Sequence, residues 1–292
     1  MIPREVLKQV RRIQIRTSHL AEDALAGAYQ SVFRGQGIEF DEVREYQPGD
    51  DVRSIDWNVT ARSGVPHVKK FHEERELTVM LLVDLSGSQR FGSARSLKSE
   101  IAAEFAAVIA YSAIKNNDKV GFVGFTDRIE KFVPPKKGSR HVLRLIREVL
   151  SLEPVGRGTD VGHALDYMNR VTPRKTVAFL VSDFRDPRCE LELRVSARRH
   201  DLVAVVLRDP REEELPSAGF VLAEDPETLE RTLVDTGSRR FRDAFAAARR
   251  REREALAARL RRASVDAIPI SVDKPYVEPL VRFFEMRERR LR

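Results

Sequence analysis

Cysteine is nearly absent: Cys189 is the single one among 292 residues. No disulfide can therefore form within the chain, and without a Cys/His array no zinc motif is spelled out. Long apolar runs are missing too. No stretch reaches the roughly 18 apolar residues of a membrane-spanning helix, and the opening MIPREVLKQVRRIQIR lacks the apolar core of a signal peptide. These absences lead to the expectation of a cytoplasmic protein without a transmembrane segment. Aromatic residues make up only 7% and are not interleaved with the basic ones, which disfavours a base-stacking surface. None of the six histidines is paired at H-x-x-x-H spacing, and His72-Glu73-Glu74 lacks the second histidine of a zincin. Neither a G-x-x-x-x-G-K-[ST] phosphate loop nor a G-x-S-x-G elbow occurs. Gly156 and Gly158 are followed next by Gly162, one residue too far for a dinucleotide fingerprint. There is no repeat and no low-complexity linker.

What is present is a core and an uneven charge. Hydrophobic residues account for 42% of the chain, enough for one large or two modest domains. Residues 241–292 carry 14 Lys/Arg against 8 Asp/Glu, so that tail supplies six of the seven net positive charges. A basic face of this kind is most simply a solvated helix surface; nucleic acid, an anionic membrane or an acidic protein are its other readings.

The most informative stretch is LTVMLLVDLSGS, Leu77 to Ser88. Leu77 to Val83 is apolar or β-branched without alternation, the pattern of a strand buried on both faces of a parallel sheet. It ends in Asp84, with Ser86 and Ser88 at alternate positions after it. Ligands of open α/β sheets bind at the carboxyl ends of strands, and three oxygen-bearing side chains on one loop suit a hard cation such as Mg²⁺.

Around this strand the chain reads in order. Helices are expected over residues 3–28, with short strands at Ser31–Arg34 and Ile38–Phe40. A short helix capped by Asp50 or Asp51 would bury Trp57, and Val65–Glu76 forms a further strand. From Leu77 onward strands alternate with helices. The helix over Ser99–Ile114 is followed by strands Lys119–Phe125 and Arg128–Val133, the second stopped by Pro134-Pro135. Helices over Arg140–Leu152 and from Asp160 through Met168 precede strands Val177–Val181 and Leu202–Leu207. A small strand pair surrounds Asp225-Pro226. A long helix over Ser238–Arg262 would bury Phe241, Phe245, Ala248, Leu256 and Leu260. A last strand, Val265–Val272, and a helix, Pro275–Arg289, close the chain. The expected class is α/β, a doubly wound, mostly parallel sheet of Rossmann-like type with a β-rich N-terminal attachment. The expected division is 1–75 and 76–292, the latter with an insertion at 210–237 and a basic, helical C-terminal part.

If the strands at Leu77 and Val177 are neighbours, Asp84 and Asp183 end side by side, and Thr159 at a helix start approaches the same point. Asp84, Ser86, Ser88, Thr159 and Asp183 then resemble the metal-ion-dependent adhesion site of the von Willebrand A-type fold. That resemblance implies one bound Mg²⁺, or Mn²⁺ or Ca²⁺, with a coordination position left for an acidic group of a protein partner. More narrowly, REYQPGDDVRSIDWNVTAR (Arg44 to Arg62) followed by KKFHEERELTVMLLVDLSGS resembles the bacterial domain-of-unknown-function 58 family over most of the chain. This likeness implies a MoxR-type AAA+ ATPase as partner. The expectation is a cation-dependent interaction module rather than an enzyme, since a hydroxyl at Ser86 is a poor general acid. A Mg²⁺-dependent hydrolase or phosphotransferase at the same site is the alternative, and nucleic-acid binding through the basic C-terminal helix is the second.

Overall fold

The structure, a computed structural model, describes residues 11, 13, 29, 31–33, 37–74, 76–93 and 96–291. The helices expected over 3–28 lie outside these, apart from Arg11 and Ile13, which are helical. The chain divides into two compact units, residues 33–77 and residues 1–32 with 78–292.

In the smaller unit, β1 (Gly37–Glu45) pairs antiparallel with β2 (His67–Glu74), with a register shift between Phe40 and Glu42. A single 3₁₀ turn, Val52–Ser54, is capped by Asp51. The helix α1 (Trp57–Ser63) starts separately, because the Asp56 carboxylate accepts from Asn58 N and Val59 N and so satisfies two free donors of its first turn. That second cap corrects the expectation of one helix with a core Trp57. Trp57 stands at the first helical position and is 67% exposed.

A second correction falls in the larger unit, where Ser31 and Val32 are helical rather than extended. Tyr29 and Val32 lie three residues apart, the spacing of one helix face, and both are buried. The Tyr29 hydroxyl donates to Asp118 at 3.0 Å and its ring meets Phe284 edge-on.

The body of the larger unit runs β3 (Thr78–Asp84), α2 (Lys98–Lys115), β4 (Lys119–Phe125), β5 (Ile129–Lys136), α3 (Ser139–Ser151), α4 (Val161–Val171), β6 (Val177–Ser182) and α5 (Glu190–Arg199). It continues with β7 (Asp201–Arg208), α6 (Pro210–Glu213), β8 (Phe220–Glu224), β9 (Arg231–Asp235), α7 (Arg239–Arg262), β10 (Asp266–Ser271) and α8 (Val277–Leu291). Six strands form one sheet in the order β10-β7-β6-β3-β4-β5, parallel except for β5, which is antiparallel to β4. From β3 the chain proceeds outward to β4 and β5, and from β6 outward to β7 and β10. The strand order therefore reverses between β3 and β6, the place where doubly wound sheets open a crevice for ligands.

Alternation of side chains across the pleat fills two cores. Met80, Leu82, Ala178 and Leu180 join Val161, Leu165 and Met168 of α4, Leu193 of α5 and Leu256 and Leu260 of α7. On the other face Phe105 of α2 meets Phe179 of β6 edge-on, with ring centroids 5.8 Å apart. Two expectations at the margins fail. β5 continues through Pro134 and Pro135, which an edge strand allows because one side of it needs no donors. Phe241 is exposed, while Arg259 of the same helix is buried and donates to the carbonyls of Asp186 and Phe184.

Candidate metal centre

Parallel pairing of β3 with β6 runs from Val79 opposite Val177 to Val83 opposite Val181, so the next residues, Asp84 and Ser182, lie side by side. Ser182 Oγ donates to Asp84 Oδ2 at 2.6 Å, and Ser86 N donates to Asp84 Oδ1 at 2.9 Å. Gln89 Nε2 reaches Asp84 Oδ2 at 3.4 Å. Asp84 is fully buried. Burial, with the charge of Asp183 adding to it, pushes its carboxyl up to about 7, against the opposing bonds from Ser182 and Ser86.

Ser86 and Ser88, both buried, turn their hydroxyls toward each other at 3.1 Å. Gly87 between them donates to Arg157 O at 2.9 Å, which ties the first loop to the one that carries Thr159. A Cβ at Gly87 would stand 2.2 Å from Pro226 O, so only glycine permits this approach. The Thr159 loop is fixed from its other side by Glu130, whose Oε1 accepts from Gly156 N at 2.7 Å and Thr126 Oγ1 at 2.8 Å. Asp160 then caps α4 by accepting from His163 N. Thr159 is half-buried, and its hydroxyl donates to Glu227 Oε1 at 2.8 Å.

Asp183 follows directly on Ser182, and its side chain is 4% exposed. Oδ2 accepts from Lys98 Nζ at 2.9 Å and faces Arg185 Nε at 3.4 Å. Lys98 itself is fully buried and donates a second bond to Glu212 at 2.8 Å. Asp183 Oδ1 is buried and has no hydrogen-bond partner. Such an atom carries a large desolvation penalty unless a cation or donor meets it. The turn after it is strained: Phe184 has φ of +56° and is held there by its N–H donating to Ser182 Oγ at 3.1 Å.

The five oxygen-bearing residues named from sequence thus lie on three loops that direct bonds join at the β3/β6 crevice. Sequence reasoning missed Ser182, Gln89, Lys98, Arg185, Glu212 and Glu227. Ser182 was readable, because it ends the same apolar strand one residue before Asp183. Lys98 was not, because a lysine in a first helical turn ordinarily faces water. Among the described residues no three His, Cys, Asp or Glu side chains are grouped to hold a metal ion, so a cation here would rest on two carboxylates and neutral hydroxyl oxygens. The donor set fits a hard divalent cation, and Asp183 Oδ1 is a buried acceptor in it without a hydrogen-bond partner. Beside Asp183 a cavity of about 600 Å³ extends toward α7, with Arg185, Glu212, Arg253 and Arg259 in its walls.

Fold and site together define a doubly wound α/β domain with an acid and hydroxyl cluster at its topological switch point. The family model described as "Protein of unknown function DUF58" matches residues 42–255, and the chain belongs to that family. "Uncharacterized protein Rv1480" of Mycobacterium tuberculosis is 32% identical over 285 residues, covering 96% of this chain and 89% of the relative. "Uncharacterized protein YeaD" of Bacillus subtilis is 28% identical over 107 residues, 37% of this chain and 25% of that one. Among solved structures, BatB from Bacteroides thetaiotaomicron is similar with a TM-score of 0.48 at 13% identity, covering 73% of this chain and 99% of that one. A von Willebrand factor type A protein from Catenulispora acidiphila gives 0.37 at 11% identity, covering 76% and 43%. At these values the two likenesses say nothing of function.

Proposed function

We propose that the chain is a divalent-cation-dependent protein-interaction module. Asp84, Ser86, Ser88, Thr159 and Asp183 hold Mg²⁺, with Mn²⁺ or Ca²⁺ as substitutes, and the cation accepts a carboxylate from a partner protein. The observation that carries this reading is the buried, unpartnered Asp183 Oδ1 beside Asp84 at the switch point of the sheet. The bound cation supplies electrophilic charge, and each residue has a separate task in keeping that charge available. Asp84 is locked by Ser182 and Ser86 so that its carboxylate keeps one orientation. Lys98 occupies Asp183 Oδ2, which halves what Asp183 offers and leaves Oδ1 as a buried oxygen without a hydrogen-bond partner. The hydroxyls of Ser86, Ser88 and Thr159 donate oxygen without negative charge, so a bound cation remains undersaturated and favours an outside Asp or Glu.

The partner proposed is a MoxR-type AAA+ ATPase, as the resemblance to the family implies, and the encounter is assigned to the cytoplasm. No helix among the described residues is long and apolar enough to cross a membrane. The chain is read as a binding protein and not as an enzyme, with no catalytic residue assigned. The test is calorimetric titration with MgCl₂. Wild type is expected to bind one ion, and Asp84→Asn, which keeps the shape of the side chain, is expected to weaken binding by more than about 100-fold, beyond what loss of an outer partner does. Equal binding by the two proteins would contradict the proposal.

A further inference from the structure

The turn between β8 and β9 places a carboxylate of the chain's own at the mouth of the crevice. Glu227 Oε1 accepts from Thr159 Oγ1 at 2.8 Å, and Pro226 O packs so closely on Gly87 that no side chain fits between them. Burial raises the Glu227 carboxyl above its ordinary range, and the charges of Asp183 and Asp225 add to that while the Thr159 bond opposes it. The acid is thus partly withdrawn from water and within the field of Asp183.

The turn is built to present this side chain. Asp225 Oδ1 accepts from Glu227 N at 2.8 Å and Thr228 N at 3.0 Å, and Asp225 N donates to Glu230 O at 2.9 Å. Leu229 is held at φ of +63°, a conformation that L-residues other than Asn and Asp rarely adopt. The strands behind the turn have little to hold them. Every residue of β8 is exposed, as are all of β9 but one, with Phe220 73% and Leu233 66% exposed. A lone two-stranded hairpin is marginal in water. The base is tied, since Thr236 N and Oγ1 both bond Gly219 O, and Gly219 has φ of +72°. The hairpin is therefore anchored at its base and pinned at its tip by Glu227 and the Gly87 approach.

We infer that Glu227 is an internal stand-in for the partner's acid, and that the β8–β9 hairpin is a lid which must lift before a partner carboxylate enters. This rests on the metal reading of the crevice. It makes the site self-occluded: the competing acid is on the same chain, and a partner's apparent affinity is reduced by the fraction of molecules that are open.

The test uses the full chain and Mn²⁺ alone. Bound Mn²⁺ is counted by electron paramagnetic resonance, its exchangeable waters by water-proton relaxation, and the opening of residues 225–236 by hydrogen exchange on the metal-free protein. Glu227→Ala and Glu227→Gln are each expected to retain Mn²⁺, to raise its exchangeable water count, and, for the alanine variant, to speed exchange at the turn about tenfold. Mn²⁺ retained with water count and exchange unchanged overturns the lid and leaves the metal reading standing. Failure of wild type and both variants to retain Mn²⁺ overturns the metal reading and the lid with it. Faster exchange with an unchanged water count also overturns the proposal, because the hairpin would then be a structural strut rather than a plug.

Discussion

Lys98 decides the electrostatics of the crevice. A fully buried ammonium between Asp183 and Glu212 exists only because both carboxylates meet it, and removing one member of such a group leaves buried charge uncompensated. Lys98→Ala is expected to lower unfolding free energy by about 3–5 kcal/mol in urea titrations; a loss below about 1 kcal/mol would show that Asp183 does not depend on it. His200 gives a pH signature elsewhere in the fold. Burial, and less strongly the charge of Arg199, lowers its pKa to about 4, and neither ring nitrogen has a hydrogen-bond partner. The folded value lies below the unfolded one near 6.5, so the unfolded chain takes up the proton first. The stability that the neutral imidazole allows is complete above about pH 6.5 and is lost as pH falls toward 4. Comparing urea midpoints of wild type and His200→Leu across that window should give a flatter dependence for the variant; parallel curves would refute the assignment.

At the scale of elements, the strands of the parallel sheet were the easiest to read. Their apolar runs at Leu77–Val83, Val177–Val181 and Leu202–Leu207 lack polar alternation because helices cover both faces, and β3, β6 and β7 fall on them within a residue or so. The edges were harder. β5 runs past two prolines because pairing on one side only is all it requires, and Trp57 is exposed because a second aspartate, Asp56, restarts the helix there. The candidate site divides along the same line. Residues at strand ends, such as Asp84 and Asp183, follow from register, whereas Lys98 and Glu227 arrive from a helix turn and a distant hairpin, and no local pattern announces that they fold onto the crevice. The Phe105–Phe179 pair, which fastens α2 to the sheet, tests the packing behind the site. Phe105→Ala is expected to destabilise by about 3–5 kcal/mol in thermal or urea unfolding, and a much smaller value would mean that α2 is not seated on β6.

For the whole molecule, part of the arginine excess in the C-terminal part is absorbed by the fold. Arg253 meets Glu213, Arg262 meets Glu190, and Arg287 bridges Asp201 and Asp266, while Arg259 is buried on backbone carbonyls. Charge already paired within the domain releases few counterions on binding a polyanion. The arrangement proposed for recognition is the crevice between β3 and β6, with its acid and hydroxyl cluster joined to the β8–β9 turn through Thr159 and Glu227. The most direct measurement is a pull-down of the MoxR-type ATPase by wild type and Asp84→Ala, each with Mg²⁺ and with EDTA. Capture by wild type in Mg²⁺ alone, lost in EDTA and in the folded Asp84→Ala protein, is the predicted result; equal capture in EDTA would contradict the account.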